Sequence, residues 1–503
     1  MVPYPTEGPS APDRPIELAG ACLHDVERGD LFPAGTRLLL RGTRIDALLA
    51  PGTPSPPTAR RIDLGGRHLV PGLLNAHAHL QLVLPSLLAT PTDAVRIRHH
   101  APAQRRLAMR QCLERGVTTV HDALTADLEL NRRLLSADER GPRLRQSVHV
   151  GPLGGPFSAE RGWRDRLLYA IAGLPFVGYE ERRSGIVTFA PDAGVGQVRD
   201  AVDRAIDERG ADAIKLYDQA EQMFSYEPGA RMLSQGQLDA ATDQARRRGV
   251  ATNMHHLTVQ SLRRGLRAGV GTLVHLPCDG PLAAEDVASF VRSGCVLVPT
   301  VSLAFALCFA TLTVGQAPHA RLAFLERLRA ARLEATTASW LPELVPTFRR
   351  GFAKAGRGAT RLFGLLDMGR VFRHFAGVAG AGVDNLVRLA EAGCPIACGN
   401  DAGAIPCTTA MVGLELELLA ALGGPPLRAG STLLRAATLH AARSLGLESS
   451  HGAIGAGRVA DLVALKADPR AEPALLGAAA EAVLLDGKLV VDRCGLRAQL
   501  AAA

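Results

Sequence analysis

Lysines, aromatic residues and long runs of like charge are scarce in this sequence of 503 residues. Only four of its 57 basic residues are lysines, and aromatic residues make up 4% of the chain. The net charge is +8, but the arginines are scattered, and their densest cluster, residues 246–248, has no aromatic residue nearby. Because nucleic-acid interfaces combine basic patches with stacking side chains, we interpret this cluster as a solvated helix face and expect no nucleic-acid partner.

Uninterrupted apolar segments and paired cysteines are also missing. Residues 1–14 contain no apolar stretch of signal-peptide length, and the longest apolar run, residues 295–314, is broken by Pro299 and by hydroxyl residues. The nine cysteines show no CxxC pair, which favours reduced core thiols over disulfides or a zinc knuckle. We therefore expect a soluble, cytoplasmic protein with no membrane partner.

Short apolar segments near both ends of the chain predict one discontinuous β domain. Strands are predicted at residues 16–23, 37–40, 44–50 and 60–64, and again at 460–466, 482–485 and 488–491, where Asp486-Gly487 marks a hairpin turn. We expect a flexible N-terminus at residues 1–15 and a composite β-sandwich formed by residues 16–70 and 450–503.

Between these ends, apolar runs alternate with helical stretches, which is typical of a parallel sheet. The hydrophobic fraction of 47% allows a large core. Eight strands are predicted, at residues 69–77, 117–122, 145–150, 213–217, 250–255, 272–275, 296–300 and 395–401. The predicted fold class is therefore α/β, with a (β/α)₈ TIM barrel over residues 71–449 and the small β-sandwich beside it.

The seventh and eighth predicted strands are separated by an insertion at about residues 302–392. Its middle, residues 320–352, is predicted to be helical with a break at Pro342 and Pro346. An insertion at the carboxyl end of a barrel strand can form a lid or a cap that selects substrates. A surface elaboration or a contact in a homo-oligomer remains the alternative.

Residues able to bind metal recur where the predicted strands end. His77 and His79 are two residues apart, so both side chains can face one side of a strand. Single residues of this kind are more often structural, but their recurrence at five strand ends favours a metal site. The remaining members of this group are Lys215, His255, His275 and Asp401.

Taken together, these motifs resemble those of the amidohydrolase superfamily. The resemblance rests on residues 70–79 (VPGLLNAHAH), on Lys215, His255 and His275, on residues 399–403 (GNDAG), and on the closing segment from Ala437 to Leu462. It covers nearly the whole chain except the first residues and the insertion. It implies a metal-dependent hydrolase built on a barrel with a β-sandwich.

The lysine indicates the binuclear branch of the superfamily, which is similar to imidazolonepropionase-like carboxypeptidases and prolidases. The resemblance implies that His77, His79 and Asp401 hold one divalent ion, that His255 and His275 hold a second, and that carboxylated Lys215 bridges them. Burial among apolar residues lowers a lysine pKa and leaves an amine able to take up CO₂. A lysine that snorkels, or that pairs with Asp218 or Asp401, is the alternative. Zinc is the expected metal, with manganese or iron possible.

Neighbouring residues refine the predicted site. His255 is preferred to His256 as a ligand because its distance along the chain from His275 fits the family, and Thr258 stands where deaminase-like members carry a glutamate. Possible substrate contacts are His121, His149 and Tyr217, although both histidines can equally be structural.

The predicted function is hydrolysis of a linear or cyclic amide bond in a small molecule, with a hydroxide between the metals as nucleophile and Asp401 as general base and acid. Another reaction at the same metal site is the main alternative: lactone or ester hydrolysis, deamination, or a C–C bond or isomerisation step. A metal-free interaction protein is less expected, because all six ligands are present.

Overall fold

The computed structural model describes residues 14–83, 85, 90–125, 127–136, 141–155, 184–218, 231–308, 317–356, 377–403 and 407–502. Most of the predicted flexible N-terminus, residues 1–13, lies outside this range. Seven strands precede the barrel: β1 (Ile16–Ala19), β2 (Cys22–Asp25), β3 (Asp30–Leu31), β4 (Arg37–Arg41), β5 (Arg44–Leu49), β6 (Arg60–Asp63) and β7 (His68–Pro71). The predicted strand 16–23 is split into β1 and β2, because Gly20 between them adopts a left-handed φ of 64°.

The barrel strands run from the N-terminal third of the chain to the insertion. They are β8 (Leu73–Ala78), β9 (Val117–Asp122), β10 (Arg143–Pro152), β11 (Ile186–Phe189), β12 (Ala213–Asp218), β13 (Ala251–His256), β14 (Thr272–Val274) and β15 (Val296–Val298). All pairs are parallel, in the order β15-β14-β13-β12-β10-β9-β8, with β11 paired to β10. This arrangement confirms the predicted α/β barrel.

The two chain ends meet in two further sheets. The last strands are β16 (Leu462–Leu465), β17 (Ala482–Leu485) and β18 (Lys488–Asp492). One sheet has the order β5-β4-β1-β6 and the other β18-β17-β16-β7-β2-β3, and a single apolar core contains residues of both. The predicted discontinuous sandwich is thus observed, whereas its exact boundaries stay a prediction.

Helices connect the barrel strands and cover its outside, except the last helix, Leu496–Ala502, which packs on the sandwich strands β6 and β18. They are Pro91–Glu114, Leu128–Ser136, Val195–Asp207, Gln235–Arg247, Val259–Ala268, Ala284–Ser293, Ser302–Leu307, His319–Thr337, Val345–Gly356, Val383–Glu391, Val412–Leu422, Pro425–Arg428, Gly430–Ala437, Leu439–Ser444 and Leu496–Ala502, with a π-helical turn at Val378–Gly382 and a 3₁₀ turn at Pro473–Leu475. In the described part of the chain, no helix is both long and apolar enough to span a bilayer.

The predicted first barrel strand, residues 69–77, is wrong as a single element. Residues before Gly72 pair with the sandwich strand β16, and those after it enter the barrel as β8. A Cβ on Gly72 would lie 2.1 Å from Thr118 Oγ1, so only glycine permits this close passage from one sheet to the other.

The predicted eighth strand, residues 395–401, is not a regular strand. Its backbone nevertheless bonds to both neighbours and closes the barrel: Ala397 N donates to Leu297 O at 2.8 Å, and Ala76 N donates to Cys398 O at 2.9 Å. The φ of 46° at Asp401 interrupts the extended ladder. The short strand β11 was missed, because it has four residues and pairs with only the last part of β10.

The insertion contains helices on both sides of the predicted break. Pro342 lies between His319–Thr337 and Val345–Gly356, and Pro346 lies in the first turn of the second helix, where proline is tolerated. Trp340, Leu344 and Phe348 pack against Val83 and Ile97 beside the end of β8. Residues 309–316 and 357–376 of the insertion lie outside the described residues.

Candidate metal centre

His77, His79 and Asp401 converge at the mouth of the barrel. Asp401 Oδ1 lies 3.2 Å from His77 Nε2 and 3.0 Å from His79 Nε2. Their ligand atoms lie close enough to bind one ion, as the sequence pattern predicted. Asp401 and His77 are nearly inaccessible to solvent, and His79 is only slightly exposed.

The segment that carries Asp401 is held against β8 by an asparagine pair. Asn75 Nδ2 donates to Asn400 Oδ1 at 2.8 Å, and Asp401 N donates to His77 O at 2.9 Å. A Cβ on Gly399 would lie 2.7 Å from His77 N, so glycine is needed for this approach. These contacts fix the Asp401 carboxylate next to the two histidines.

A row of aromatic rings extends from this group across the barrel. The ring centroids of His77 and His275 are 5.3 Å apart, and those of His275 and His255 are 4.5 Å apart. Tyr217 stacks on His255 at 4.0 Å with nearly parallel planes. The structure therefore brings His255 and His275 close to His77, and their role as a second set of ligands stays a prediction.

Lys215 lies in the middle of β12 and is 3% exposed. Burial lowers its pKa to about 7, against the attraction of the Asp401 carboxylate. Burial is also the main cause that lowers the pKa values of His77, His255 and His275 well below 6.5, and the charge on Lys215 contributes to each. The charge on Lys215 thus adds to the effect of burial on all three imidazoles and favours their neutral form.

The unsatisfied polar atoms of this pocket fit metal ligation. His77 Nδ1 and Nε2, His79 Nδ1, Lys215 Nζ and Asp401 Oδ1 are buried without a hydrogen-bond partner among the described residues. Leaving such atoms unpaired costs about 1–3 kcal/mol each. A bound cation, and a carbamate on the lysine, would satisfy several of them at once.

Three of the four non-glycine residues with positive φ in the described chain lie at this site: His275 (76°), Thr300 (48°) and Asp401 (46°). Strained backbone of this kind clusters at functional sites because surrounding contacts hold it. Thr300 Oγ1 lies 2.7 Å from His275 Nδ1, so the hydroxyl engages that ring nitrogen and fixes the orientation of the imidazole.

Two contributors were not identified from the sequence, namely Thr300 and Glu415. The Glu415 carboxylate is fully buried and accepts hydrogen bonds from Val301 N at 2.8 Å and Ser302 N at 2.7 Å. Burial outweighs these bonds and raises its pKa to about 7. The sequence offered a signal for Thr300, which is a polar residue at the end of the predicted strand 296–300. It offered none for Glu415, because Glu415 lies more than 100 residues along the chain from its partners Val301 and Ser302.

The other predicted histidines are placed differently. His121 is fully buried, with Nδ1 2.8 Å from Ala76 O and Nε2 2.7 Å from Ser147 Oγ, so both ring nitrogens are engaged in supporting β8 and β10. His149 Nδ1 lies 3.1 Å from Lys215 O, and His149 is paired in register with Lys215 on the neighbouring strand β10. His256 Nδ1 lies 2.8 Å from Val274 O, and the preference for His255 over His256 as ligand stays a prediction. Whether His121, His149 and Tyr217 touch a substrate stays a prediction.

Solved structures share this architecture. A prolidase complexed with N-methylphosphonate-L-proline superimposes with a TM-score of 0.64 and 22% identity, covering 95% of this chain and 100% of that chain. The ochratoxinase of A. niger gives a TM-score of 0.64 at 18% identity, covering 96% of both chains. Phenylurea hydrolase B gives 0.62 at 20% identity, covering 96% of this chain and 98% of that chain.

No curated protein matches the sequence closely enough to be counted as a relative. The model of the amidohydrolase family matches residues 68–490, which is most of the chain and includes every predicted ligand. The chain therefore belongs to the amidohydrolase family.

Proposed function

We propose that this protein hydrolyses an amide C–N bond in a small molecule at a binuclear metal centre. The observation that carries the proposal is the convergence of His77, His79 and Asp401 with the ring row of His275 and His255. Family membership supports a hydrolase, and the names of the structural relatives, prolidase, ochratoxinase and phenylurea hydrolase, are consistent with this class of bond.

His77, His79 and Asp401 would hold one ion, and His255 and His275 the other. Imidazole and carboxylate ligands suit zinc, and manganese or iron can bind the same set. Bound divalent ions supply Lewis acidity, which lowers the pKa of water and polarises a carbonyl group.

Lys215 would act as the bridging ligand once it is carboxylated. With its pKa near 7, a large fraction of the amine is neutral at physiological pH and can attack CO₂, giving a carbamate and releasing one proton. The carbamate places anionic oxygens where Lys215 Nζ now has no partner among the described residues.

Asp401 would move the proton during turnover. Its Oδ1 faces the pocket beside His77 and His79, so it can accept a proton from the attacking water and deliver it to the leaving nitrogen. Thr258 does not offer an alternative acid, because its hydroxyl accepts a hydrogen bond from Ser261 N and caps the helix Val259–Ala268.

A substrate panel with a lysine variant tests this proposal. Metal-loaded protein is assayed with Xaa-Pro dipeptides, N-acyl amino acids, cyclic amides and phenylureas, with lactones, esters and ammonia release as tests of the rival reactions. We expect amide cleavage. In Lys215→Ala we expect at least a thousandfold lower kcat/KM together with loss of metal, and partial rescue by short carboxylic acids.

The matched control is Lys466→Ala, because Lys466 is exposed and lies on the sandwich side of the chain. It should keep wild-type metal content and activity. Two metals and normal turnover in Lys215→Ala would refute the binuclear assignment, and cleavage of lactones alone would refute the amide assignment.

A further inference from the structure

A second cluster of metal-binding side chains lies in the β-sandwich, outside the barrel pocket. His24 is on β2, His68 begins β7, and Asp468 follows β16. His24 Nε2 lies 3.0 Å from His68 Nδ1 and 3.9 Å from Asp468 Oδ1. Apart from the barrel group, this is the one set of three such ligands within the described residues.

The sheet register explains why these residues meet. β7 lies between β2 and β16, with His68 opposite Cys22 on one side and Leu465 on the other. His24 is two residues beyond Cys22 and Asp468 is three residues beyond Leu465. The cluster therefore joins both ends of the chain through one strand.

The distances from His24 Nε2 to His68 Nδ1 and Asp468 Oδ1 fit a tetrahedrally coordinated ion better than a group held by hydrogen bonds alone. Ligands about 2.0–2.2 Å from zinc in a tetrahedron lie about 3.3–3.6 Å from one another. A hydrogen bond between two neutral imidazoles explains the contact of 3.0 Å, but the carboxylate at 3.9 Å is beyond hydrogen-bond reach of His24. The two distances lie on either side of the tetrahedral spacing, so a single cation could bind the three atoms after small shifts of their side chains.

The surroundings orient the carboxylate and leave a negative charge. Arg470 donates to Asp468 Oδ2 through Nη2 at 2.9 Å, and to Asp468 Oδ1 through its backbone N at 2.8 Å and Nε at 3.2 Å. It also donates to Asp30 through Nη1 at 2.9 Å. Two carboxylates against one guanidinium give a local charge of −1, which a divalent ion would offset. Hydrogen bonds of this kind, which orient a ligating carboxylate, are typical of metal sites.

His24 has little else to stabilise its burial. Its side chain is 1% exposed, and its Nδ1 has no hydrogen-bond partner among the described residues. Burying an imidazole without full hydrogen bonding is costly, so a coordinate bond at Nε2 would offset part of that cost.

We propose that His24 Nε2, His68 Nδ1 and Asp468 Oδ1 form a structural site for a divalent zinc-like ion, with water as the fourth ligand, which ties the two chain ends together in the β-sandwich. This site is separate from the catalytic centre and does not depend on the reaction assigned to it.

The test compares the zinc content of wild-type protein with that of His68→Gln and Asp468→Asn. Untagged protein is stripped of metal, reloaded with zinc, dialysed and measured by inductively coupled plasma mass spectrometry. We expect each variant to hold one zinc per chain fewer than the wild type and to keep its amide hydrolysis. Zinc should raise the melting temperature of the wild type more than that of either variant.

The control is His99→Gln, because His99 is an exposed histidine on the helix Pro91–Glu114 and should leave the zinc content unchanged. The measured quantity is a difference between variants, so it is independent of how many ions the barrel binds. Equal zinc content in the wild type and both variants would overturn the proposal. Anomalous scattering at the zinc edge from wild-type crystals needs no variant: a peak among the three side chains supports the site, and its absence refutes it.

Discussion

At the scale of single residues, burial sets the chemistry of the barrel site. Lys215 has its pKa lowered to about 7 because it is buried, and His77 and His275 are kept neutral for the same main reason. An exposed lysine or histidine would stay protonated more often and would repel a cation. Desolvation therefore favours the neutral forms of these side chains, which are the forms that the proposed function requires.

Asp401→Asn separates ligation from proton transfer. The amide oxygen can still face His77 and His79, but an amide cannot accept a proton near neutral pH. We expect kcat to fall about 10²–10⁴-fold, with metal content largely retained. Parallel measurements of kcat and bound metal check this, with the exposed Asp384→Asn as control. Normal turnover in Asp401→Asn would remove the proton-transfer role.

His451 makes stability depend on pH. Burial, with a contribution from Arg143, lowers its pKa from 6.5 to about 3. The unfolded chain therefore binds a proton here between these values while the folded chain does not, so stability falls as the pH drops from 6.5 toward 3. The loss is up to about 1.4 kcal/mol per pH unit.

Urea denaturation of wild type and His451→Gln at pH 7 and pH 5 measures this effect. Relative to the variant, the wild type should lose free energy of unfolding on acidification, because the variant has no group that titrates at this position. If the difference in free energy of unfolding between wild type and His451→Gln were the same at pH 7 and pH 5, the pH dependence would not come from His451.

At the scale of elements, the turn after β15 presents Thr300 to His275. The turn continues directly into the helix Ser302–Leu307, whose first backbone N–H groups are bound by Glu415 from the helix Val412–Leu422. A carboxylate at this position satisfies two donors that would otherwise be buried without partners. The helix Val412–Leu422 thus supports the candidate metal site through the turn that carries Thr300.

Glu415→Gln should lower the free energy of unfolding by about 1–3 kcal/mol. The glutamine side chain has one oxygen, so it can accept a hydrogen bond from only one of the backbone N–H groups of Val301 and Ser302. Its NH₂ group would face the other N–H group, which would then be buried without an acceptor. Thermal and urea unfolding at pH 8, where Glu415 is largely ionised, provide the measurement. Glu417→Gln on the same helix is the matched control, because its ion pair with Arg332 is partly exposed and should contribute at most about 1 kcal/mol. Equal stability of the two variants would contradict the capping role.

At the scale of the whole molecule, charged residues join the barrel to the sandwich. Arg143 at the start of β10 bonds Asp461 and Asp486, which flank the sandwich strands β16 and β17. Asp461 also accepts from Asp486 N at 2.8 Å, and its backbone oxygen accepts from Gly72 N at 2.8 Å where the chain enters the barrel. One arginine therefore holds both carboxylates at the contact between the two parts.

Arg143→Met should lower the free energy of unfolding by about 3–5 kcal/mol, because it leaves two partly buried carboxylates without a cation. Arg133→Met is the control, since the pair of Arg133 with Glu129 is exposed and contributes about 0.5 kcal/mol or less. Denaturation curves of both variants, compared with the wild type, provide the measurement. If both variants lost a similarly small free energy of unfolding, the contact of Arg143 with Asp461 and Asp486 would contribute little to stability.

The sequence by itself determined the barrel, the discontinuous sandwich and the residue types of the metal site. These features are local, because a strand end and its polar side chain are neighbours along the chain, as with His77 and His79 at the end of β8. Only the tertiary structure decided that β7 and β8 divide at Gly72, that residues 395–401 close the barrel without a regular strand, and that Thr300 and Glu415 support His275. Those features depend on contacts between residues far apart in the chain, and the energy of such contacts is set by burial and close approach that exist only after folding.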